Sequence, residues 1–293
     1  MAKQKGGRSI FKAMVLLLLV GLLVVFFIIY RRGTDSKQSD SGQVAQADIA
    51  SQLSPTPISV NDLAWKEGQT IKAAILMYHH IGPLPEDADA IRQGLTVSLE
   101  NFEVQMKFLK QNGYHVMTMK EMYILVAQEK LPPKTVVLTF DDGYKDNYLY
   151  AEPVLEENGF KATFNIITGK IGQDEYMTEP ELVSLSNKGN ELASHTVTHP
   201  ALNQLTGATL QKELIDSKIE LEKITGDTVI TLCYPAGKYS AEVETDAKGD
   251  GYKTAVTTEA SKGSFSTSRP YEIPRYRIGP ATKLDSILKI TDN

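Results

Sequence analysis

Residues 136–143, Val136-Val137-Leu138-Thr139-Phe140-Asp141-Asp142-Gly143, carry the reading that decides the fold. A short apolar, β-branched run closed by a turn residue is a buried strand. Two carboxylates at the C-terminal end of such a strand stand where α/β folds build their sites, and Gly143 permits a sharp turn beneath them. Taken alone, Asp-Asp-Gly is more often a solvated turn that caps the next helix.

Similar runs recur on both sides, at 72–78, 115–118, 161–167, 191–194, 229–234 and 252–257, each bounded by Gly, Pro or Asn. Helical patterns lie between them. Residues 98–112 put Leu99, Phe102, Met106 and Leu109 on one stripe, with Ser98 as N-cap and Gly113 as stop. Thr178 and Glu181 form a capping box for a helix toward Asn187. Residues 209–225 repeat Leu210, Leu214, Ile215, Ile219, Leu221 and Ile224 before Gly226. Strands that alternate with helices predict a parallel α/β architecture, and the pattern leaves a closed barrel and an open doubly wound sheet both open. No phosphate-cradling glycine loop follows a strand, so a nucleotide is not expected, and no fixed repeat is present.

Two further features close predicted strands. Ser194-His195-Thr196-Val197-Thr198-His199-Pro200 holds two of the chain's 5 His residues four positions apart, a separation at which two imidazoles converge on one metal. Met77-Tyr78-His79-His80 ends the first strand of the body, where alternation puts Ile75, Met77 and His79 on one face and His80 on the other. Each has a bland alternative in a surface or backbone-bonded His. A barrel mouth would bring all three features together. One carboxylate with two imidazoles is a facial metal set with open positions, and a second carboxylate and a further His supply a base and an acid for hydrolysis of an amide or ester.

Over 293 residues the chain has 31 Lys plus Arg, 36 Asp plus Glu and 42% hydrophobic residues, the composition of a globular protein rather than a disordered or collagen-like one. A lone Cys233 forms no disulfide within the chain and no thiolate zinc centre. Six basic groups (Lys3, Lys5, Arg8, Lys12, Arg31, Arg32) and no acid lie in residues 1–32, so the body is strongly acidic and no nucleic-acid partner is expected. From Ala13 to Tyr30 run 18 uncharged residues, about 27 Å of helix, enough for one transmembrane span. Arg31-Arg32 and the absence of a small-x-small site favour an uncleaved anchor over a signal peptide. The expected organisation is a basic cytoplasmic tail at 1–12, an anchor in the cell membrane at 13–30, a flexible polar tether at 31–70 and an extracellular catalytic domain at 71–293.

Thr139-Phe140-Asp141-Asp142-Gly143 followed by His195-Thr196-Val197-Thr198-His199 resembles the polysaccharide deacetylases of carbohydrate esterase family four, with the NodB homology domain, over roughly residues 71–278. The resemblance implies a distorted (β/α) barrel of about seven strands and metal-dependent N-deacetylation of an N-acetylglucosamine-containing polysaccharide, poly-N-acetylglucosamine or peptidoglycan. It makes Asp141 the general base and Asp142, His195 and His199 the ligands of a divalent metal, usually zinc, with cobalt or nickel as substitutes; no other cofactor is implied. The family's Arg-x-Pro-x-Gly aligns with Cys233-Tyr234-Pro235-Ala236-Gly237, without its Arg, and leaves the Tyr234 backbone N–H as oxyanion donor. The family's C-terminal Leu-x-His is absent. Met77-Tyr78-His79 is similar to the branch that deacetylates poly-N-acetylglucosamine, which makes His79 the general acid, and Pro274-Arg275 would return the missing cation. A glycan binder without turnover, or a deacylase of another acetylated substrate, would fit the two departures from the motifs.

Overall fold

The computed structural model describes residues 59–288, so the expected tail, the anchor and the tether up to residue 58 lie outside the described residues. Among the described residues no helix is long and apolar enough to cross a membrane. In chain order, β1 (Thr70–Lys72), β2 (Ala74–Tyr78) and β3 (His80–Ile81) lead into α1 (Ala90–Leu95), β4 (Thr96–Val97) and α2 (Leu99–Gln111). Then come β5 (His115–Met117), α3 (Met119–Ala127), β6 (Thr135–Phe140), α4 (Glu152–Asn158), β7 (Thr163–Ile166), α5 (Glu179–Asn187) and β8 (Glu191–Ser194). The chain continues through α6 (Gly207–Gln211), α7 (Ser217–Thr225), β9 (Thr231–Cys233), α8 (Ala241–Gly249), β10 (Thr254–Ala260), β11 (Ser264–Ser266), β12 (Ile273–Arg277) and α9 (Leu284–Leu288).

Strands β2, β12, β10, β9, β8, β7 and β6 are successive parallel neighbours, and β6 pairs back on β2 from Ala74↔Val136 to Tyr78↔Phe140. The sheet is therefore a closed parallel barrel, which resolves the ambiguity of the sequence pattern. β5 pairs with the first half of β6 and β7 with Thr139 and Phe140, so β5 is an eighth strand set into the wall below β7. The barrel strand absent from the sequence reading is β12. Its alternation is written Ile273-Pro274-Arg275, and a buried Arg at an inward position hides the apolar period that marks a strand.

Period-two alternation divides the core. Leu76, Tyr78, Leu138, Phe140 and Phe164 face outward into the helical layer, where Phe140 stacks between Tyr78 at 5.3 Å and Phe164 at 5.0 Å. Ile75, Val137, Cys233, Val256 and Ile273 face inward and fill the barrel. Helix ends follow the sequence signals. The Ser98 side chain accepts the Asn101 N–H at α2, Thr178 and Glu181 close the capping box of α5, and Gly226 takes the left-handed conformation after α7 with φ 69°. Ile219, placed on the apolar face by the sequence reading, is exposed, because a π-turn at Lys212–Asp216 shifts the helical register before it.

Residues 60–70, within the stretch read as tether, pack on the barrel. Trp65 donates its indole N–H to the Tyr123 carbonyl at 3.0 Å and stands 5.7 Å from the Phe265 ring, and β1 pairs antiparallel with β11. The polar composition of this stretch conceals one large aromatic that closes the lower end of the barrel.

Candidate active site

Inward-facing positions at the C-terminal ends of neighbouring strands carry the polar groups. Asp141 follows β6 and is 3% exposed; Arg275, on β12, is 1% exposed. Arg275 Nη1 donates to Asp141 Oδ1 at 2.7 Å and Nη2 to Oδ2 at 2.8 Å, a bidentate pair. The guanidinium also donates from Nε to the Thr257 carbonyl at 2.9 Å and from Nη1 to Thr139 Oγ1 at 2.9 Å, which fixes its plane. Asn165 on β7 donates Nδ2–H to Asp141 Oδ1 at 2.7 Å. Burial alone would raise the Asp141 carboxyl pKa, but the charge and hydrogen bonds of Arg275 override it and hold the group well below the usual carboxylate range.

His79 follows β2 and is largely buried, with Nε2 4.0 Å from Asp141 Oδ2 and Nδ1 without a hydrogen-bond partner among the described residues. Burial lowers its pKa, Asp141 and Asp142 counteract, and Arg275 and Arg277 lower it further, so the imidazole is held below its ordinary range. His80 points away, as alternation requires, with Nδ1 donating to Asp146 Oδ2 at 2.7 Å and its ring 3.7 Å from Tyr144.

Asp142 and Gly143 both adopt positive φ, 75° and 80°, and this turn swings the Asp142 carboxylate toward the two imidazoles. His195 Nε2 lies 3.4 Å and His199 Nε2 3.5 Å from Asp142 Oδ1. The turn between the two His residues is strained in the same way, with Thr196 at φ 66° and His199 at φ 63°. Left-handed conformations in non-glycine residues persist where the surroundings over-determine them, and here they converge on one group of side chains. His195 Nδ1 must carry a proton, because it bonds the Cys233 carbonyl at 2.7 Å, so Nε2 is the nitrogen that faces Asp142 and, once deprotonated, can offer a lone pair to a metal. Burial disfavours charge on Asp142, but the hydrogen bond and charge of His195 lower its pKa on balance.

Among the described residues two groups of donors lie close enough to hold a metal ion, Asp142 with His195 and His199, and Asp141 with His195 and Cys233. Only the first fits. Arg275 bonds both Asp141 and, at 3.3 Å, Cys233 Sγ, so a cation already fills the second group. The one free nitrogen of His195 faces Asp142. An Asp-His-His set with neutral imidazoles suits zinc and similar divalent ions and leaves positions open for water and substrate.

Tyr234 does not present a free backbone donor, since its N–H bonds the Val256 carbonyl at 3.2 Å and its ring stacks on Tyr239 at 4.6 Å. The structure thus brings together His79, Asp141, Asp142, His195, His199 and Arg275, and leaves the expected Tyr234 donor engaged in the sheet. Sequence reasoning missed Asn165, whose signal was a lone amide at an inward position of the strand Thr163-Phe164-Asn165-Ile166. A groove lined by Trp65, Tyr123, Glu244 and Tyr271 shares no residue with this group.

A family description, polysaccharide deacetylase, matches residues 128–255. YxkH of Bacillus subtilis (strain 168), provisionally named a polysaccharide deacetylase, is 37% identical over 219 residues, 74% of this chain and 75% of that one. A poly-β-1,6-N-acetyl-D-glucosamine N-deacetylase of Staphylococcus aureus is 29% identical over 197 residues, 62% of this chain and 68% of that one. Among solved structures, the Streptococcus pyogenes deacetylase PplD in complex with acetate superposes with a TM-score of 0.70 at 30% identity, covering 77% of this chain and all of that one.

Proposed function

The chain belongs to the polysaccharide deacetylase family, and from that premise we propose that it removes N-acetyl groups from N-acetylglucosamine residues of a cell-surface polysaccharide. One observation carries the reading: a carboxylate locked by a buried Arg stands beside an Asp-His-His metal set, with a third imidazole, that of His79, facing it. A divalent ion, zinc or in its place cobalt or nickel, would be held by Asp142, His195 and His199 and would polarise the acyl oxygen and acidify a bound water.

Asp141 is the base. Its Oδ1 accepts from both Arg275 Nη1 and Asn165 Nδ2, whereas Oδ2 accepts from Arg275 Nη2 alone, so proton abstraction falls to the remaining lone pair of Oδ2, the oxygen that faces His79. Arg275 keeps Asp141 ionised and holds its plane. His79, on the far side of Oδ2, is placed to protonate the leaving amine, and burial makes it a ready proton donor once charged. The oxyanion role expected of the Tyr234 N–H requires sharing the bond that it makes to Val256 O.

The substrate named for the S. aureus relative supports a β-1,6-linked poly-N-acetylglucosamine, with peptidoglycan as the second polymer to test. The uncharged run at 13–30 supports a single-pass anchor in the cell membrane, cytoplasmic at its N-terminus, with the barrel outside; protease accessibility on intact cells tests that topology. The direct test of function is amine release from β-1,6 and β-1,4 N-acetylglucosamine oligomers, with zinc and with chelator. Release that chelator stops, and that Asp141→Asn and His79→Ala abolish, is the expected result. Metal bound without release from either oligomer would favour glycan binding or another acyl substrate.

A further inference from the structure

Between α6 and α7 the helical backbone is interrupted by the π-turn Lys212–Asp216. A π-turn inserts a residue into the helical register, and such turns recur at functional sites. Here the turn carries Glu213, an acid 8% exposed that belongs to neither the metal set nor the base. Glu213 Oε2 accepts the backbone N–H groups of Val197 at 2.8 Å and Thr198 at 2.9 Å, and Oε1 accepts the Thr198 hydroxyl at 2.7 Å. These residues are the centre of the strained turn that separates His195 from His199.

The opposite side of the turn is held by backbone. Thr168 N–H bonds the Thr196 carbonyl at 3.1 Å and Gly169 N–H the Val197 carbonyl at 2.9 Å, while His199 N–H bonds Thr196 Oγ1 at 3.0 Å. A Cβ on Gly169 would stand 2.5 Å from the Val197 carbonyl oxygen, so this contact tolerates no side chain. The turn is gripped between the loop after β7 and one carboxylate. Two convergent N–H groups and a hydroxyl call for an acceptor with two oxygens, and without it the two donors lose their partner and the left-handed residues are free to relax.

We propose that Glu213 is a positioning residue for the metal set. It touches no ligand atom, and it fixes the 196–199 turn so that His199 Nε2 meets Asp142 and His195. This inference rests on the reading of Asp142, His195 and His199 as the metal set.

The test is zinc affinity of the full chain by competition with a chromophoric chelator, with the visible absorption of the Co2+ form as a second readout, for wild type, Glu213→Ala, Glu213→Gln, Thr198→Val and His199→Ala. Glu213→Ala should weaken zinc about 10- to 100-fold, the usual effect of removing a residue that orients a ligand, and should alter the Co2+ spectrum. Glu213→Gln keeps an oxygen for the two N–H groups and can turn its amide toward the Thr198 hydroxyl, so it should restore most of that affinity. Wild-type affinity and spectrum in Glu213→Ala, with only a lowered melting temperature, would overturn the proposal. If Glu213→Ala does not fold, Thr198→Val, which loses one of the three bonds, decides the matter: weakened zinc supports the clamp and unchanged zinc overturns it. Wild type that binds no better than His199→Ala would instead remove the metal set itself, and the clamp with it.

Discussion

The two ends of the barrel interior each hold a hydrogen-bonded carboxylate, and they use it in opposite ways. At the lower end Glu191 Oε2 accepts the Lys120 N–H and the Thr163 hydroxyl, both at 2.8 Å, and Oε1 accepts the Thr231 hydroxyl at 2.7 Å. Its neighbours donate as neutral dipoles and Lys120 adds a distant charge, so burial prevails and its pKa is raised. At the mouth, Asp141 is more deeply packed and yet lowered, because a guanidinium bonds both its oxygens. Neutral donors around a carboxylate tie β7, β8, β9 and the start of α3 together; a fixed cation keeps a carboxylate charged and leaves it able to take a proton from water. The distinction is in the partners rather than in the depth.

Several substitutions test that contrast, and the largest effect belongs to Asp141→Asn. Loss of the proposed base should lower kcat by about 10²- to 10⁴-fold while zinc remains bound, which amine release and metal analysis together would check. Arg275→Met comes next. It strands Asp141 in the interior, so urea unfolding should show a loss of about 3–5 kcal/mol, with activity down about 100-fold. If Arg275→Met were as stable as wild type, the mouth would not depend on its cation and the contrast between the ends would fail.

Asn165→Leu removes the donor on Asp141 Oδ1 without touching the guanidinium. We expect kcat to fall about tenfold with KM and zinc content unchanged, since the cost of one lost hydrogen bond to a charged group is about 1.5–3 kcal/mol at most. An equal rise in KM would mean that Asn165 shapes the substrate surface instead.

The smallest effect is expected at the lower end. Folding raises the Glu191 pKa, so the ionised form costs stability in the folded state above that raised value, and the cost disappears as pH falls below the ordinary carboxylate range. Glu191→Gln should therefore be as stable as wild type or more so at pH 7, and lose that advantage by pH 4. Unfolding of both proteins at the two pH values measures it. Activity per folded molecule should not change, and a large loss would show that the lower end is coupled to the mouth.

Much of this was legible in the sequence because it depends on local periodicity. The runs that end in Asp141, His79 and His195 are strands with their expected inward faces, and the caps of α2 and α5 follow from Ser98, Thr178 and Glu181. What escaped depends on partners remote along the chain. Arg275 is 134 residues from Asp141 and sits in a strand that its own charge disguises. Glu213 reads as one more polar position of a helix until the π-turn aims it at Val197 and Thr198. Trp65 lies in a polar stretch and shows its role only against Tyr123 and Phe265.

By itself the sequence determined the parallel α/β class, the strand ends that carry chemistry and the residue types offered there, because alternation and capping are properties of neighbours in the chain. The tertiary structure alone decided that the sheet closes, that Arg275 pairs with Asp141 beside Cys233, and that the Tyr234 N–H is engaged by Val256. Strand order is the physical reason for all three, since it pairs β6 with β2 and β9 with β10. It brings β12 between β10 and β2, and so sets a cation beside Asp141 that no pattern along the chain could place.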